Sequence, residues 1–145
     1  MGAKDLYHET VKKSLEKEGW IITDDPLFIK FGEINLMIDL GDEKVIGAEK
    51  DDQKIAVEIK NFAGLSVVNE FQKALGQFLM YKKALEDDEP DRILFLAISN
   101  EAHKNLIKFM FFEIMIKMYS INLLIFDHFE EEIIQWIKEY NTNKS

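Results

Sequence analysis

Tyr7, Val11 and Leu15 recur at i, i+4 and i+8, with Leu6, Thr10 and Ser14 beside them and lysines and acids opposite. That spacing predicts an amphipathic helix over Ala3–Glu18, closed by Gly19 in the usual capping role. A period of two then takes over. Trp20–Thr23 reads as a short strand or extended lead-in and Asp24-Asp25-Pro26 as a turn. Leu27–Phe31 and Ile34–Leu40 read as strands joined around Gly32-Glu33. Val45–Glu49 and Lys54–Phe62 form a second hairpin through Lys50-Asp51-Asp52-Gln53. In its second strand Ile55, Val57 and Ile59 point one way, and Lys54, Ala56, Glu58 and Lys60 the other.

Helical spacing returns after Gly64-Leu65, with Ser66 as N-cap of a helix to about Glu86. Its buried stripe is Val67, Phe71, Ala74, Leu75, Phe78 and Leu85, and Gln77 and Tyr81 are i, i+4 neighbours on one margin of it. The acidic stretch Glu86–Asp91 is a solvated loop. Arg92–Ser99 is an almost continuous apolar run, the signature of a strand buried on both faces and reached by a helical crossover. Asn100–Tyr119 predicts a helix apolar nearly all round, either deeply buried or shared with a partner. Ile121–Asp127 reads as another strand and Ile133–Ile137 as a returning strand, a helix being the alternative; 139–145 is a polar tail. The pattern is that of one α/β domain over 1–145, with its core in 3–138.

Composition narrows the function. No cysteine is present, which excludes disulfides, thiolate metal sites and cysteine nucleophiles. A net charge of −9 argues against a general nucleic-acid coat, whose affinity comes from neutralising many phosphates, though not against a local site serving one phosphate. The first residues carry no apolar signal region, and Asn105–Met118 is too short and too charged to span a bilayer, so a cytoplasmic, non-membrane protein is expected.

The chemistry centres on Glu58-Ile59-Lys60. Residues i and i+2 of a strand share a face about 7 Å apart at the backbone. A carboxylate and an ammonium held so can serve a divalent cation and a phosphate. The plain alternative is a surface salt bridge of about 0–1 kcal/mol, and acid-x-Lys also occurs as Asp42-x-Lys44 and Asp52-x-Lys54 in turn-like stretches. Asp39 closes its strand before Leu40-Gly41, a position that suits a turn former as well as a metal ligand. Were Asp39 and Glu58 brought together, they would repel by about 4 kcal/mol at 4 Å and an effective dielectric of 20, a strain that Mg²⁺ or Mn²⁺ would relieve. His8 lies on the shoulder of the first helix's apolar stripe, and Glu9 points away from it.

Helix, hairpin strands, Asp39, Glu58-Ile59-Lys60, a helix with Gln77-x-x-x-Tyr81, and a buried strand: this order resembles the PD-(D/E)XK, or restriction-endonuclease-like, nuclease superfamily. The Gln-x-x-x-Tyr element and a histidine in the first helix are similar to its RecB-type branch. More narrowly, AKDLYHETVKKSLEKEGW, DPLFIKFGEINLMIDLG, EKDDQKIAVEIKNF, ALGQFLMYKKAL and IIQWIK resemble the XisH family of cyanobacterial excision controlling factors. The resemblance implies a four-stranded mixed sheet flanked by helices, with added C-terminal strands and a metal site at the sheet's edge. It assigns Asp39 and Glu58 as ligands of Mg²⁺ or Mn²⁺, adds His8 and Ile59 to the ligand set, makes Lys60 the residue that orients water or stabilises the phosphorane, and gives Gln77 and Tyr81 supporting roles. Asp39 is preceded by Ile38 where the motif's name has proline.

The family also implies a role in programmed excision of a DNA element during development, beside a site-specific recombinase and a second, XisI-like factor. Two readings follow: a metal-dependent endonuclease, or a catalytically silent accessory protein of the same fold that directs a recombinase. Along Leu106–Met118, Phe109, Phe112 and Ile116 form one apolar side and Met110, Ile114 and Ile107 another, so a homodimer or a complex with the second factor is expected on this helix.

Overall fold

The computed structural model describes residues 3–32, 45–62 and 66–139. Among these residues four helices and six strands follow one another as α1 (Ala3–Lys17), β1 (Ile21–Asp24), β2 (Val45–Lys50), β3 (Gln53–Ile59), α2 (Val67–Asp88), β4 (Arg92–Ser99), α3 (Asn100–Ile107), α4 (Met110–Met118), β5 (Leu123–Asp127) and β6 (Glu132–Ile137). The strands form one mixed sheet in the order β1-β2-β3-β4-β5-β6. β3, β4 and β5 run parallel, and antiparallel pairs close both sides. The described sheet therefore has six strands, where a four-stranded core was expected.

The alternation along β3 sorts the two faces. Ile55 and Val57 join Val11, Leu15, Trp20 and Phe126 in the core under α1. Ala56 joins Phe71, Phe78, Leu94, Leu96, Leu106, Phe112 and Ile116 in the core under α2, α3 and α4. Both faces of β3 and β4 are thus covered, as parallel strands require.

Local signals act as expected at the helix ends. Gly19, at φ 92°, takes the left-handed conformation that ends α1. Ser66 Oγ accepts from the Asn69 amide at 3.2 Å to cap α2.

Leu27–Phe31 departs from its expected strand. Its one backbone bond to β2 is Leu27 N to Val45 O at 2.7 Å, just beyond the stretch of β2 that β1 pairs. It then packs its alternate residues Leu27, Ile29 and Phe31 on the α2 side. The expected partner, Ile34–Leu40, lies outside the described residues.

The expected helix over 100–119 is two helices. Phe109 is extended (φ −106°, ψ 111°) and restarts the chain as the N-cap of α4. The interruption turns Phe109 outward, to 55% exposure, while Phe112 and Ile116 stay buried as the spacing predicts.

Candidate phosphate-handling site at the end of the central strand

Glu58 and Lys60 stand at the C-terminal end of β3, the strand that joins the antiparallel half of the sheet to the parallel half. Glu58 is paired with Val45 on one side and Leu96 on the other, both of them residues of the α2-side core. Its carboxylate is wholly buried, with neither oxygen reaching solvent. Such a group costs several kcal/mol of desolvation to keep ionised, so the plain surface-bridge reading of this acid-x-Lys pair is set aside.

Lys60 extends the parallel ladder one residue past β3, its amide donating to Ala97 O at 3.0 Å. Its side chain is also buried, and Nζ lies 3.5 Å from Glu70 Oε2. Glu70 is a candidate site residue that the sequence pattern does not single out. There it stands only as an acid in the first turn of α2, where the helix dipole favours it. The overlooked signal is its spacing: Glu70, Gln77 and Tyr81 stand at i, i+7 and i+11, one narrow stripe of the helix.

That stripe faces the site. At about 1.5 Å per residue, Gln77 is roughly 10 Å along the helix from Glu70; at about 3.3 Å per residue, Glu58 is roughly 7 Å back along the strand from Lys60. With Lys60 fixed to Glu70, Gln77 comes to about the level of Glu58 on the same side of the sheet. Gln77 Oε1 is buried and accepts no hydrogen bond among the described residues. Tyr81 is buried beyond it, its ring 5.7 Å from that of Phe31.

His8 is placed elsewhere. It sits on α1, which covers the opposite face, with Nε2 2.7 Å from Asp25 Oδ1. Lys12 Nζ meets the other oxygen, Asp25 Oδ2, at 2.8 Å. Partial burial pushes the Asp25 carboxyl up, but the Lys12 hydrogen bond and His8 beside it outweigh burial and hold it below the ordinary carboxylate range. The same hydrogen bond raises Lys12. A depressed acid stabilises the fold above its unfolded pKa of about 3.9, and that contribution fades as pH falls through the folded value. Asp25→Asn is therefore expected to cost about 1 kcal/mol near neutrality. Thermal melts from pH 7 to below 3 should show parent and variant converging at the acid end.

Oxygen donors suit a hard divalent cation, and Glu58 and Gln77 offer them. Among the described residues, no group of three or more His, Cys, Asp and Glu side chains could hold a metal ion. Asp39 lies outside the described residues. Ile59, also assigned to the ligand set, ends β3 between Glu58 and Lys60, with its side chain against the α1-side core. A separate cleft of about 530 Å³, lined by Phe78, Lys82, Arg92, Asn122 and Lys138 among others, opens at the other end of β4. No helix among the described residues is long and apolar enough to cross a membrane.

Comparison with known proteins gives one consistent result. The family model described as XisH protein matches residues 1–134. Two crystal structures are similar over 92% of this chain. One is a fdxN element excision controlling factor protein from Anabaena variabilis, 44% identical, with a TM-score of 0.84 and 99% of its own chain covered. The other is an XisH family protein from Nostoc punctiforme PCC 73102, 42% identical, with a TM-score of 0.85 and 100% of its chain covered. No protein in the curated collection matches.

Proposed function

This chain belongs to the XisH family, and we propose that it is an excision controlling factor, acting on DNA in the programmed excision of a genomic element together with a site-specific recombinase and an XisI-like second factor. Support comes from the family match over residues 1–134 and from the name of its Anabaena variabilis relative.

Within that role the reading we favour is phosphodiester hydrolysis dependent on Mg²⁺ or Mn²⁺. The observation that carries it is the complete burial of Glu58 beside a buried Lys60. A buried acid is weak evidence of stability, and replacing a buried ion pair as a whole by apolar residues is often neutral or stabilising. Retention of both groups at the end of a rigid strand therefore points to chemistry. Glu58, with Asp39 from the adjoining segment, would hold the ion, which supplies Lewis acidity toward the phosphate and an activated water. Lys60 carries positive charge to a phosphate oxygen, Glu70 fixes its ammonium, and Gln77 presents an amide on the same side. The net charge of −9 makes DNA affinity local or borrowed from a partner.

The accessory reading, in which the fold directs a recombinase without cutting, is favoured by that same charge. Metal titration separates the two. Calorimetry should show Mn²⁺ binding, and at a metal concentration about 100 times Kd the melting transition should gain about 2.7 kcal/mol of native-state stability. Glu58→Ala should lose both signals, together with any Mn²⁺-dependent nicking of plasmid DNA. An unchanged melting curve and no heat of binding at millimolar Mn²⁺ would leave the accessory reading standing.

A further inference from the structure

Along α4 the buried and exposed apolar residues occupy opposite sides. Phe112 and Ile116 are buried against α2 and the sheet, with the Phe112 ring 4.8 Å from that of Phe71. On the far side, Met110, Ile114 and Met118 follow one another at i, i+4 and i+8 with Phe111 alongside, and they are 73, 50, 64 and 66% exposed. At 100° per residue these four span about 100° of the helix, centred opposite the buried side. The corner leading into α4 adds Phe109 and Ile107, 55 and 42% exposed.

A large side chain offers about 150–250 Å² in full, so six half-exposed ones present roughly 600 Å². That is at the upper limit for the largest apolar patch of a typical monomer, about 300–600 Å². Two such patches face to face would bury about 1,200 Å², where standard-size interfaces begin.

The charges bordering the stripe indicate the occupant. Glu113 and Lys117 lie one turn apart along one side of it, 3.9 Å from each other. A two-fold axis brings a patch against itself. With the two helices antiparallel, each Glu113 meets the Lys117 of the other copy while Met110 runs toward the other Met118. In a parallel two-fold pair the Glu113–Lys117 flanks of the two copies would fall on opposite sides of the seam, with no crossed pair between them.

We propose that α4 is the interface of a homodimer, a second copy of this chain packing antiparallel through Met110, Phe111, Ile114 and Met118 with crossed Glu113–Lys117 pairs. The proposal does not depend on the function of the Glu58 site.

Analytical ultracentrifugation of the pure chain tests it. The parent should sediment as a dimer at micromolar concentration. Ile114→Lys, at a solvent-facing position, should keep its thermal melt and weaken association about 100-fold, because two lysines would face each other across the axis. Glu113→Lys alone and Lys117→Glu alone should each weaken self-association about tenfold, and mixing the two variants should restore it as a heterodimer. A parent that is monomeric at micromolar concentration overturns the proposal, even if this face then binds some other protein. A dimer indifferent to Ile114→Lys, or variants that fail to complement each other, overturns it as well.

Discussion

Arg92→Met is expected to cost the fold about 3 kcal/mol, the scale of breaking a buried charge network from one side. The melting temperature should fall by about 10 °C for a chain of this size. Arg92 opens β4 and is 8% exposed. Its Nη1 donates to Ile55 O at 2.8 Å, and its Nε and Nη2 reach Glu89 Oε1 at 3.3 and 3.1 Å. Asp24 Oδ2 stands 3.9 Å from Nη2. One guanidinium thus joins β1, β3 and the end of α2. Space is kept for it by Gly47, where a Cβ would come within 3.1 Å of Nη1 and 2.9 Å of Asp24 Oδ2.

Methionine keeps the apolar stem but leaves a buried carbonyl without its donor and Glu89 without its cation. Arg92→Lys should recover only part of the loss, because an ammonium cannot make the forked contacts. Urea titrations of the three proteins measure this directly. A loss below about 1 kcal/mol for methionine would show that the network is a surface feature.

Arg92 also illustrates what can be read along the chain and what cannot. Its strand is plain from the continuous apolar run that follows, and the face that Glu58 shares with Lys60 is plain from their i, i+2 spacing. The depth of Glu58 is not legible, since it is set by Leu96 on the neighbouring strand and by the packing of α2 over that face. Leu27–Phe31 shows the same division. Its alternate residues Leu27, Ile29 and Phe31 do pack on the α2-side core, yet the segment carries nothing local that tells how much of it is held by backbone pairing.

The separation of α3 from α4 carries no glycine or proline to announce it. It is seen only in the extended backbone of Phe109, whose ring lies 5.7 Å from that of Phe112. Of the candidate site, Glu58, Lys60, Gln77 and Tyr81 were recognisable by motif. Glu70 was hidden because an acid in the first turn of a helix already has a sufficient explanation in the helix dipole.

The Lys60–Glu70 pair gives the second large effect and separates scaffold from chemistry. Nζ and Oε2 are 3.5 Å apart, and the side chains are 6 and 17% exposed, so water screens the pair little. Lys60→Met takes the only cation described in this pair from a face that also holds buried Glu58, and is expected to cost about 3 kcal/mol. Glu70→Gln should cost less, about 1–2 kcal/mol, since its carboxylate is nearer solvent and its amide replacement still reaches Lys60. If the two groups act as a unit, the double variant should be less destabilised than the sum by about 1–2 kcal/mol. Function should divide differently. Neither residue is assigned to the metal, so both single variants should keep the Mn²⁺-dependent rise in melting temperature that Glu58→Ala loses. Lys60→Met should lose any cleavage, whereas Glu70→Gln should retain part of it, with the ammonium present but less firmly held. A double-mutant cycle by urea denaturation, run beside the Mn²⁺ melts, decides the matter. Additivity within about 0.5 kcal/mol would mean that Glu70 does not position Lys60, and loss of the Mn²⁺ response in Glu70→Gln would place Glu70 among the ligands instead.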